Sequence, residues 1–207
     1  MSSLTPDRTP VQYDRDTALV VVDVQNDFAD PNGSLSVAGG EDVVVVVNAE
    51  IARARSAGGR VVYTADWHPP STPHFAKDGG VWPVHCVGDT WGAEFHPNLI
   101  VDGPVVRKGT AGEDGYSGFT MKDPEGDTVT PTGLRDQLVR WGIEKIVVCG
   151  LATDYCVKAT ALDGISAGFD VALLEDGIRP VDLEPGDGDR AITAMAEAGC
   201  LLSSSLA

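Results

Sequence analysis

The chain has 207 residues, of which 43% are hydrophobic and 22% charged, and this composition is typical of one globular domain with a full core. Its formal net charge of −16 argues against nucleic acid and anionic membranes as partners. No apolar run is long enough to span a membrane, and no charged-then-apolar leader opens the chain. Four cysteines without CxxC spacing fit a reducing compartment, so we expect a cytoplasmic protein.

Composition divides the chain into two parts. Residues 1–17 are mostly polar and contain two prolines, which predicts a loose N-terminal extension. Residues 18–207 show no internal repeat, no low-complexity tract and no linker-like stretch that would mark a boundary. We therefore predict a single domain over residues 18–207.

Strands alternate with helices in the first half of this domain. Short apolar runs rich in β-branched residues predict buried strands at Ala18–Val22, Arg60–Ala65 and Val105–Arg107. Between the first two, Glu41–Ser56 has partly strand-like composition, but its apolar residues fall on one helical stripe and predict a helix. Segment 69–103 has no clear periodicity, and a structureless connection of that length is normally functional in a compact domain.

The second half continues the alternation. Residues 114–132 look loop-like, and Thr132 can cap a helix over Gly133–Trp141. The remaining predicted elements are strands at Lys145–Gly150, Asp170–Leu174 and Cys200–Leu202, and helices at Asp154–Ala167 and Asp187–Ala198. Such alternation predicts the α/β class, with helices on both faces of a mostly parallel central sheet.

Cys156 lies in the stretch GLATDYCVKATA, which directly follows the strand predicted at Lys145–Gly150. The thiol is therefore expected in the first turn of a helix, at the carboxyl end of a strand, where open α/β sheets bind their ligands. Backbone amides and the helix dipole would lower the thiol pKa there and stabilise a thiolate. The alternative is a cysteine packed in the core, the commoner environment of a lone cysteine.

Asp23 and Lys108 occupy equivalent positions, each at or just after the carboxyl end of a predicted strand. Because parallel strands end at one edge of a sheet, both side chains could meet Cys156. A carboxylate beside a thiol can act as a general base, and an ammonium group favours the thiolate. Taken singly, Asp23 as a turn residue and Lys108 as a surface cation are the simpler interpretations.

A second cluster combines one carboxylate with three imidazoles: Asp66, His68, His74 and His85. This donor set suits Zn²⁺, Fe²⁺ or Mn²⁺ with positions left for water or substrate. The alternative is four independent loop residues that cap turns and face solvent.

Loop aromatics form a third group at the same edge: Phe28, Trp67, Trp82, Trp91 and Tyr116. Such residues often only cover the core. Several of them around a metal and a thiol would suit a flat aromatic ligand.

These stretches together resemble the nicotinamidase/pyrazinamidase branch of the isochorismatase-like cysteine hydrolases. The resemblance runs from Val20 to about Leu202 and rests on VVVDVQNDF, TADWHPPSTPHF, VWPVHCVGDTWGAEFHP, VVRKG, GYSGF and GLATDYCVKATA, in the family's order. It implies the isochorismatase-like hydrolase fold, a three-layer α/β/α arrangement around the mostly parallel sheet.

The resemblance also implies roles for the clustered residues. Cys156 would be the nucleophile that attacks a carboxamide carbon, Asp23 would take the thiol proton and deliver it to departing ammonia, and Lys108 would hold this pair. The amides of Ala152 and Cys156 would form the oxyanion hole. A cis peptide is expected between Leu151 and Ala152.

The same resemblance assigns a ligand set and a ring pocket. Asp66, His68, His74 and His85 would hold one divalent metal, with Zn²⁺ the first expectation and Fe²⁺ or Mn²⁺ the alternatives. In the family the metal holds the pyridine nitrogen, so its implied role is orientation. The implied pocket residues are Phe28, Trp82 and Tyr116, with Tyr155 at a position that varies in the family. Residues 122–132 receive no role.

The activity implied is hydrolysis of nicotinamide to nicotinate and ammonia through a cysteine thioester in NAD salvage, with deamidation of pyrazinamide as a second activity. One alternative is a related cysteine amidase, such as an N-carbamoyl-amine hydrolase. Isochorismatases fit less well, because they generally lack this metal set. Another alternative is a non-catalytic ligand-binding member of the fold, although a binding module has no need of the three clustered reactive residues. A homo-oligomer is one possible state of assembly, which the sequence does not decide.

Overall fold

The structure is a computed structural model that describes residues 10–205. Its strands are β1 (Thr17–Val22), β2 (Arg60–Asp66), β3 (Val105–Lys108), β4 (Thr120–Lys122), β5 (Val129–Pro131), β6 (Lys145–Leu151), β7 (Asp170–Arg179) and β8 (Leu201–Ser203). Within the described range, six of them form one parallel sheet in the order β3-β2-β1-β6-β7-β8. The other two, β4 and β5, form a separate antiparallel hairpin.

The helices are α1 (Asn26–Ala29), α2 (Asp42–Ser56), α3 (Leu134–Arg140), α4 (Lys158–Ser166) and α5 (Asp187–Glu197). Two short 3-10 turns, Ala76–Asp78 and Trp91–Ala93, lie in the long connection between β2 and β3. A π-helical turn, Thr153–Val157, leads from β6 into α4. Among the described helices, none has the length and apolar character needed to cross a bilayer.

The hydrophobic core lies in two layers, one on each face of the sheet. Successive strand residues point to opposite faces, so β1 contributes to both. Leu19 and Val21 pack with the apolar stripe of α2, whereas Val20 and Val22 pack with residues of α3, α4 and α5. This confirms the predicted three-layer α/β/α architecture with a mostly parallel sheet.

The structure differs from the predicted elements at several places, and helix α1 is one element that the sequence did not predict. The strand predicted at Asp170–Leu174 continues to Arg179, past an irregularity in its pairing with β6. The helix predicted to begin at Asp154 starts as a π-helical turn. Segment 114–132, expected to be loop, contains β4 and β5, whose three-residue strands are too short to produce a clear alternation.

The predicted N-terminal extension, residues 1–17, is described only from residue 10. Val11 is buried in the core layer that contains α2, and the Tyr13 hydroxyl donates to Glu50 at 2.8 Å. Thr17 already belongs to β1. Residues 10–17 therefore pack on the domain, and residues 1–9 lie outside the described part of the chain.

The sheet brings several functional candidates to one edge. Asp23 directly follows β1, Asp66 ends β2, Lys108 ends β3 and Ala152 directly follows β6. Gly150 permits the close approach of β6 to β1: its φ is 111°, and a Cβ there would lie 2.0 Å from the Val22 carbonyl oxygen. A side chain at this position would push apart the two strands that carry Asp23 and the loop of Cys156.

Candidate active site

Lys108 is the centre of a fully buried charged cluster. Its Nζ lies 2.7 Å from Asp23 Oδ2 and 3.6 Å from Cys156 Sγ, and it also donates to Asp66 Oδ1 and to the Gly115 carbonyl. The acceptor atoms of Asp23, Asp66 and Cys156 lie within 4.8 Å of one another. The structure therefore brings together Asp23, Lys108 and Cys156, which the sequence predicted to meet at this edge of the sheet.

Two opposing effects set the ionisation of the Asp23–Lys108 pair. Burial raises the pKa of Asp23 to about 6, against the attraction of Lys108 and a hydrogen bond from Thr64. Thr64 Oγ1 donates to Asp23 Oδ1 at 2.6 Å. Burial acts to lower the pKa of Lys108, but the attraction of Asp23 and Asp66 outweighs it and raises that pKa well above its usual value. At neutral pH the cluster therefore holds an ammonium group between carboxylates.

The expectation that the helix start lowers the thiol pKa of Cys156 is wrong. Burial raises this pKa well above its ordinary value, and Lys108 opposes the effect without reversing it. Cys156 also lies in the π-helical turn rather than in the first turn of an α-helix. The resting side chain is therefore a neutral thiol beside the carboxylate of Asp23, and it needs a base to become nucleophilic.

Three imidazoles form the neighbouring wall of the site. One ring nitrogen from each of His68, His74 and His85 lies within 4.8 Å of the others. Both ring nitrogens of His68 are buried without a hydrogen-bond partner among the described residues, and burial lowers the pKa of His68 to about 4. Burial lowers the pKa of His85 as well. Neutral rings with free lone pairs are the form that binds a divalent metal, so this donor set fits one.

The fourth predicted ligand, Asp66, lies between the two clusters. Its Oδ1 accepts from Lys108, and its Oδ2 lies 3.9 Å from His68 Nε2. Lys108 lowers the pKa of Asp66 below its usual range in spite of burial, so this carboxylate is ionised at neutral pH. One oxygen of Asp66 thus remains directed at the imidazoles.

An apolar cavity of about 400 Å³, including its part open to solvent, lies beside the thiol. Its walls include all four predicted pocket aromatics, Phe28, Trp82, Tyr116 and Tyr155. The Trp82 Nε1 donates to the Tyr116 hydroxyl at 2.7 Å, and Tyr155 packs edge-on to Trp82 at 4.8 Å between ring centroids.

Two aromatic residues grouped with them in the sequence do not line this cavity. The Arg107 guanidinium lies over Trp67 at 3.7 Å from the ring centroid, and Trp91 is half exposed. Trp67 packs against the core, and Trp91 lies at the surface.

The loop between β6 and the π-helical turn forms the wall nearest Cys156. Ala152 and Cys156 both line the cavity, and the peptide bond between Leu151 and Ala152 is cis, as predicted. The two residues predicted to donate backbone amides to an oxyanion therefore lie at the same face of the cavity as the thiol.

Sequence reasoning missed three polar residues that hold the site. The Gln25 side chain donates to the Asp66 carbonyl and accepts from the Asp66 amide, each at 2.8 Å. Thr64 fixes Asp23, and Asp114 Oδ1 lies 2.5 Å from His74 Nδ1. The sequence could have identified Gln25 and Thr64, since each is a polar residue in or beside a strand predicted to be buried. Asp114 had none, because it lies in a loop whose path only the fold determines.

Comparison with known proteins shows which proteins the chain is similar to. The chain matches the Isochorismatase domain over residues 17–205. It is 36% identical to the nicotinamidase of Escherichia coli strain K12 over 89% of this chain and 93% of the relative.

Two solved structures are similar over nearly their full length. The pyrazinamidase of Pyrococcus horikoshii in complex with zinc has a TM-score of 0.81 and 38% identity, covering 91% of this chain and 99% of that one. PnC1 from L. infantum in complex with nicotinate has a TM-score of 0.83 and 35% identity, covering 94% and 96%.

Proposed function

The chain belongs to the isochorismatase domain family, and on this premise we propose that it is a nicotinamidase, which hydrolyses nicotinamide to nicotinate and ammonia. The observation that carries the proposal is the buried Asp23–Lys108–Cys156 cluster, which reaches a cavity lined by aromatic rings and imidazoles. The reaction would serve NAD salvage in the cytoplasm, with a small heteroaromatic amide as substrate.

In the first half of the proposed reaction, Asp23 accepts the Cys156 proton while Sγ attacks the carboxamide carbon. A carboxylate whose pKa is raised to about 6 is a stronger base than a free aspartate, and it is still ionised at neutral pH. Lys108 stabilises both negative partners during the transfer. The amides of Ala152 and Cys156 would stabilise the oxyanion, a contribution of about 3–4 kcal/mol where such donors have been removed.

The tetrahedral adduct then collapses. Its C–N bond breaks, Asp23 returns the proton to the leaving nitrogen, and ammonia departs from a thioester on Cys156. Water attacks the thioester carbon while Asp23 accepts a proton from the water. The C–S bond breaks, Asp23 protonates the sulfur, and the carboxylic acid product leaves as nicotinate after losing its proton to solvent. Each half therefore uses Asp23 once as a base and once as an acid.

We also assign a divalent metal, Zn²⁺ first, to His68, His74, His85 and Asp66. Held by these four residues, the ion would supply Lewis acidity toward the pyridine nitrogen of the substrate and would so favour one orientation of the ring. The neutral state of His68 and its unpartnered ring nitrogens support this assignment. Zinc in the complex of the Pyrococcus horikoshii pyrazinamidase agrees with it.

Phe28, Trp82, Tyr116 and Tyr155 would hold the flat substrate ring. Their rings form much of the cavity wall, and flat ligands bind well between aromatic faces and edges. Pyrazinamide differs from nicotinamide by one nitrogen in place of a ring C–H, so the same pocket should accept it. We therefore propose pyrazinamide deamidation as a second activity.

The test is ammonia release from nicotinamide by the purified protein, alongside Cys156→Ala and a chelator-treated sample. Cys200→Ala is the matched control, because this buried cysteine packs in the core away from the cavity. We expect release by the wild type and by Cys200→Ala, none by Cys156→Ala, and reduced release after chelation. A folded, zinc-loaded wild type that releases no ammonia would sink the nicotinamidase proposal, and N-carbamoyl amines would be assayed next.

A further inference from the structure

Asp114 lies outside the predicted ligand set, yet it makes a close polar contact with one of its members. Its Oδ1 lies 2.5 Å from Nδ1 of His74. The His74 side chain is 5% exposed and that of Asp114 is 26% exposed, so the contact is shielded on the histidine side. A carboxylate accepts hydrogen bonds, so this contact favours the tautomer of His74 with its proton on Nδ1.

This contact determines which nitrogen of His74 is free. In a neutral imidazole only one nitrogen carries hydrogen, so a proton on Nδ1 leaves the lone pair on Nε2. The His74 ring also stacks on His68, with 4.9 Å between centroids and 19° between planes. Asp114 and His68 together hold the ring in one orientation, with its free lone pair available to the imidazole wall.

The hairpin of β4 and β5 fixes Asp114. The Asp114 amide donates to the Lys122 carbonyl at 2.7 Å, and the Lys122 amide donates to the Asp114 carbonyl at 3.1 Å. Lys122 is the last residue of β4 and pairs with Val129 of β5. The segment 122–132, to which the sequence assigned no role, is thereby joined through Asp114 to the imidazole wall.

From these contacts we propose that Asp114 is a positioning residue of the metal site. It sets the tautomer and orientation of His74, and the β4–β5 hairpin sets Asp114. Carboxylates that accept from a metal-binding histidine raise its basicity, and their removal typically weakens metal binding by about 10- to 100-fold. The inference rests on the metal site of the proposed function but not on the amidase reaction.

The experiment measures the zinc dissociation constant of the full chain by competition with a chromophoric chelator, without substrate. Asp114→Ala should bind zinc about 10- to 100-fold more weakly than the wild type. Asp114→Asn should show a smaller loss, because its amide oxygen still accepts from Nδ1–H without the charge. Asp127→Ala is the control: it removes a fully exposed carboxylate from the same hairpin and should leave the zinc constant unchanged.

A second measurement applies even if the alanine variant does not fold. The ring ¹⁵N shifts of His74 in the metal-free wild type report which nitrogen is protonated, and we expect the Nδ1–H tautomer. An Nε2–H tautomer, or equal zinc constants for the wild type and Asp114→Ala, would overturn the inference. A wild type that binds no zinc would remove the metal site and this inference together, whereas ammonia release tests the amidase separately.

Discussion

The two walls of the candidate site are built in opposite ways. The thiol wall joins Asp23 and Lys108 at strand ends, where opposite charges satisfy each other in full burial. The imidazole wall takes His74 and His85 from the long connection between β2 and β3, and within residues 10–205 both ring nitrogens of His68 lack a hydrogen-bond partner. The first wall has an ion pair within the folded chain, whereas the second has ring nitrogens that are free to bind an added ligand. The imidazole wall should therefore depend on a bound ion for its structure, and the thiol wall should not.

The largest effect is expected from breaking the charged wall. Lys108→Met leaves Asp23 and Asp66 buried without their cation, and the loss of one partner of a buried pair typically costs about 3–5 kcal/mol. We expect that loss in the free energy of unfolding, measured with urea, together with loss of activity. Lys122→Met, at a mostly exposed lysine, is the control and should change stability by less than about 1 kcal/mol.

Removing the base from the same wall should affect the reaction more than the fold. Asp23→Asn keeps the shape of the side chain and an acceptor for Thr64, but it cannot take the thiol proton. We expect kcat to fall by about 10²- to 10⁴-fold. Kinetics with nicotinamide measure this, and a kcat within threefold of the wild type would exclude Asp23 as the base.

The imidazole wall should instead respond to metal. Zinc at about 100 times its dissociation constant should stabilise the folded chain by about 2.7 kcal/mol, which raises the melting temperature. In His68→Ala this increase in melting temperature should largely disappear, because one of the metal-binding imidazoles is lost. His96→Ala is the matched control, since His96 is buried but does not belong to the imidazole group. Equal stabilisation of both variants would contradict the assigned site.

The pH dependence of kcat/KM tests the thiol wall by itself. Asp23 must be ionised to accept the thiol proton, and burial raises its pKa to about 6. With zinc saturating at every pH, kcat/KM should fall about tenfold per unit below that pKa. The raised pKa of Asp23 affects folding stability in the opposite direction to kcat/KM. A raised carboxyl pKa favours the folded state at low pH, and the contribution is lost as the pH rises through about 6. A flat kcat/KM from pH 7 to pH 5 would contradict the role of Asp23.

The smallest effect is expected at the rim of the pocket. Tyr155 packs edge-on to Trp82, and such a pair contributes about 0.5–1.5 kcal/mol. Tyr155→Ala should therefore raise KM for nicotinamide by up to about tenfold and leave kcat nearly unchanged. Tyr155→Phe keeps the ring and should change KM by less than about threefold. A decrease in kcat with an unchanged KM would instead indicate that Tyr155 takes part in the chemical step.

The sequence predicts the thiol wall better than the imidazole wall, for a physical reason. Parallel strands end at one edge, so the positions of Asp23 and Lys108 follow once each strand is recognised. The ring orientation of His74 depends on Asp114, and Asp114 depends on a hairpin of two three-residue strands. Such short elements leave no periodic pattern, so neither the hairpin nor this contact could be predicted.

The ionisation of Cys156 was beyond sequence reasoning as well. The start of a helix favours a thiolate, but burial opposes it, and only the folded chain shows that burial dominates. The π-helical turn that contains Cys156 gave no separate signal, because its composition also suits an α-helix.

The three charges around Lys108 have one further consequence. Asp23 and Asp66 together carry one negative charge more than Lys108 neutralises, and all three groups are buried. Without a cation this interior should repel a carboxylate while admitting a neutral amide. With a divalent ion the local balance becomes positive, and an anionic product is attracted. The ion proposed to orient an incoming amide should therefore slow the departure of the acid, so that inhibition by nicotinate should increase as zinc occupancy rises.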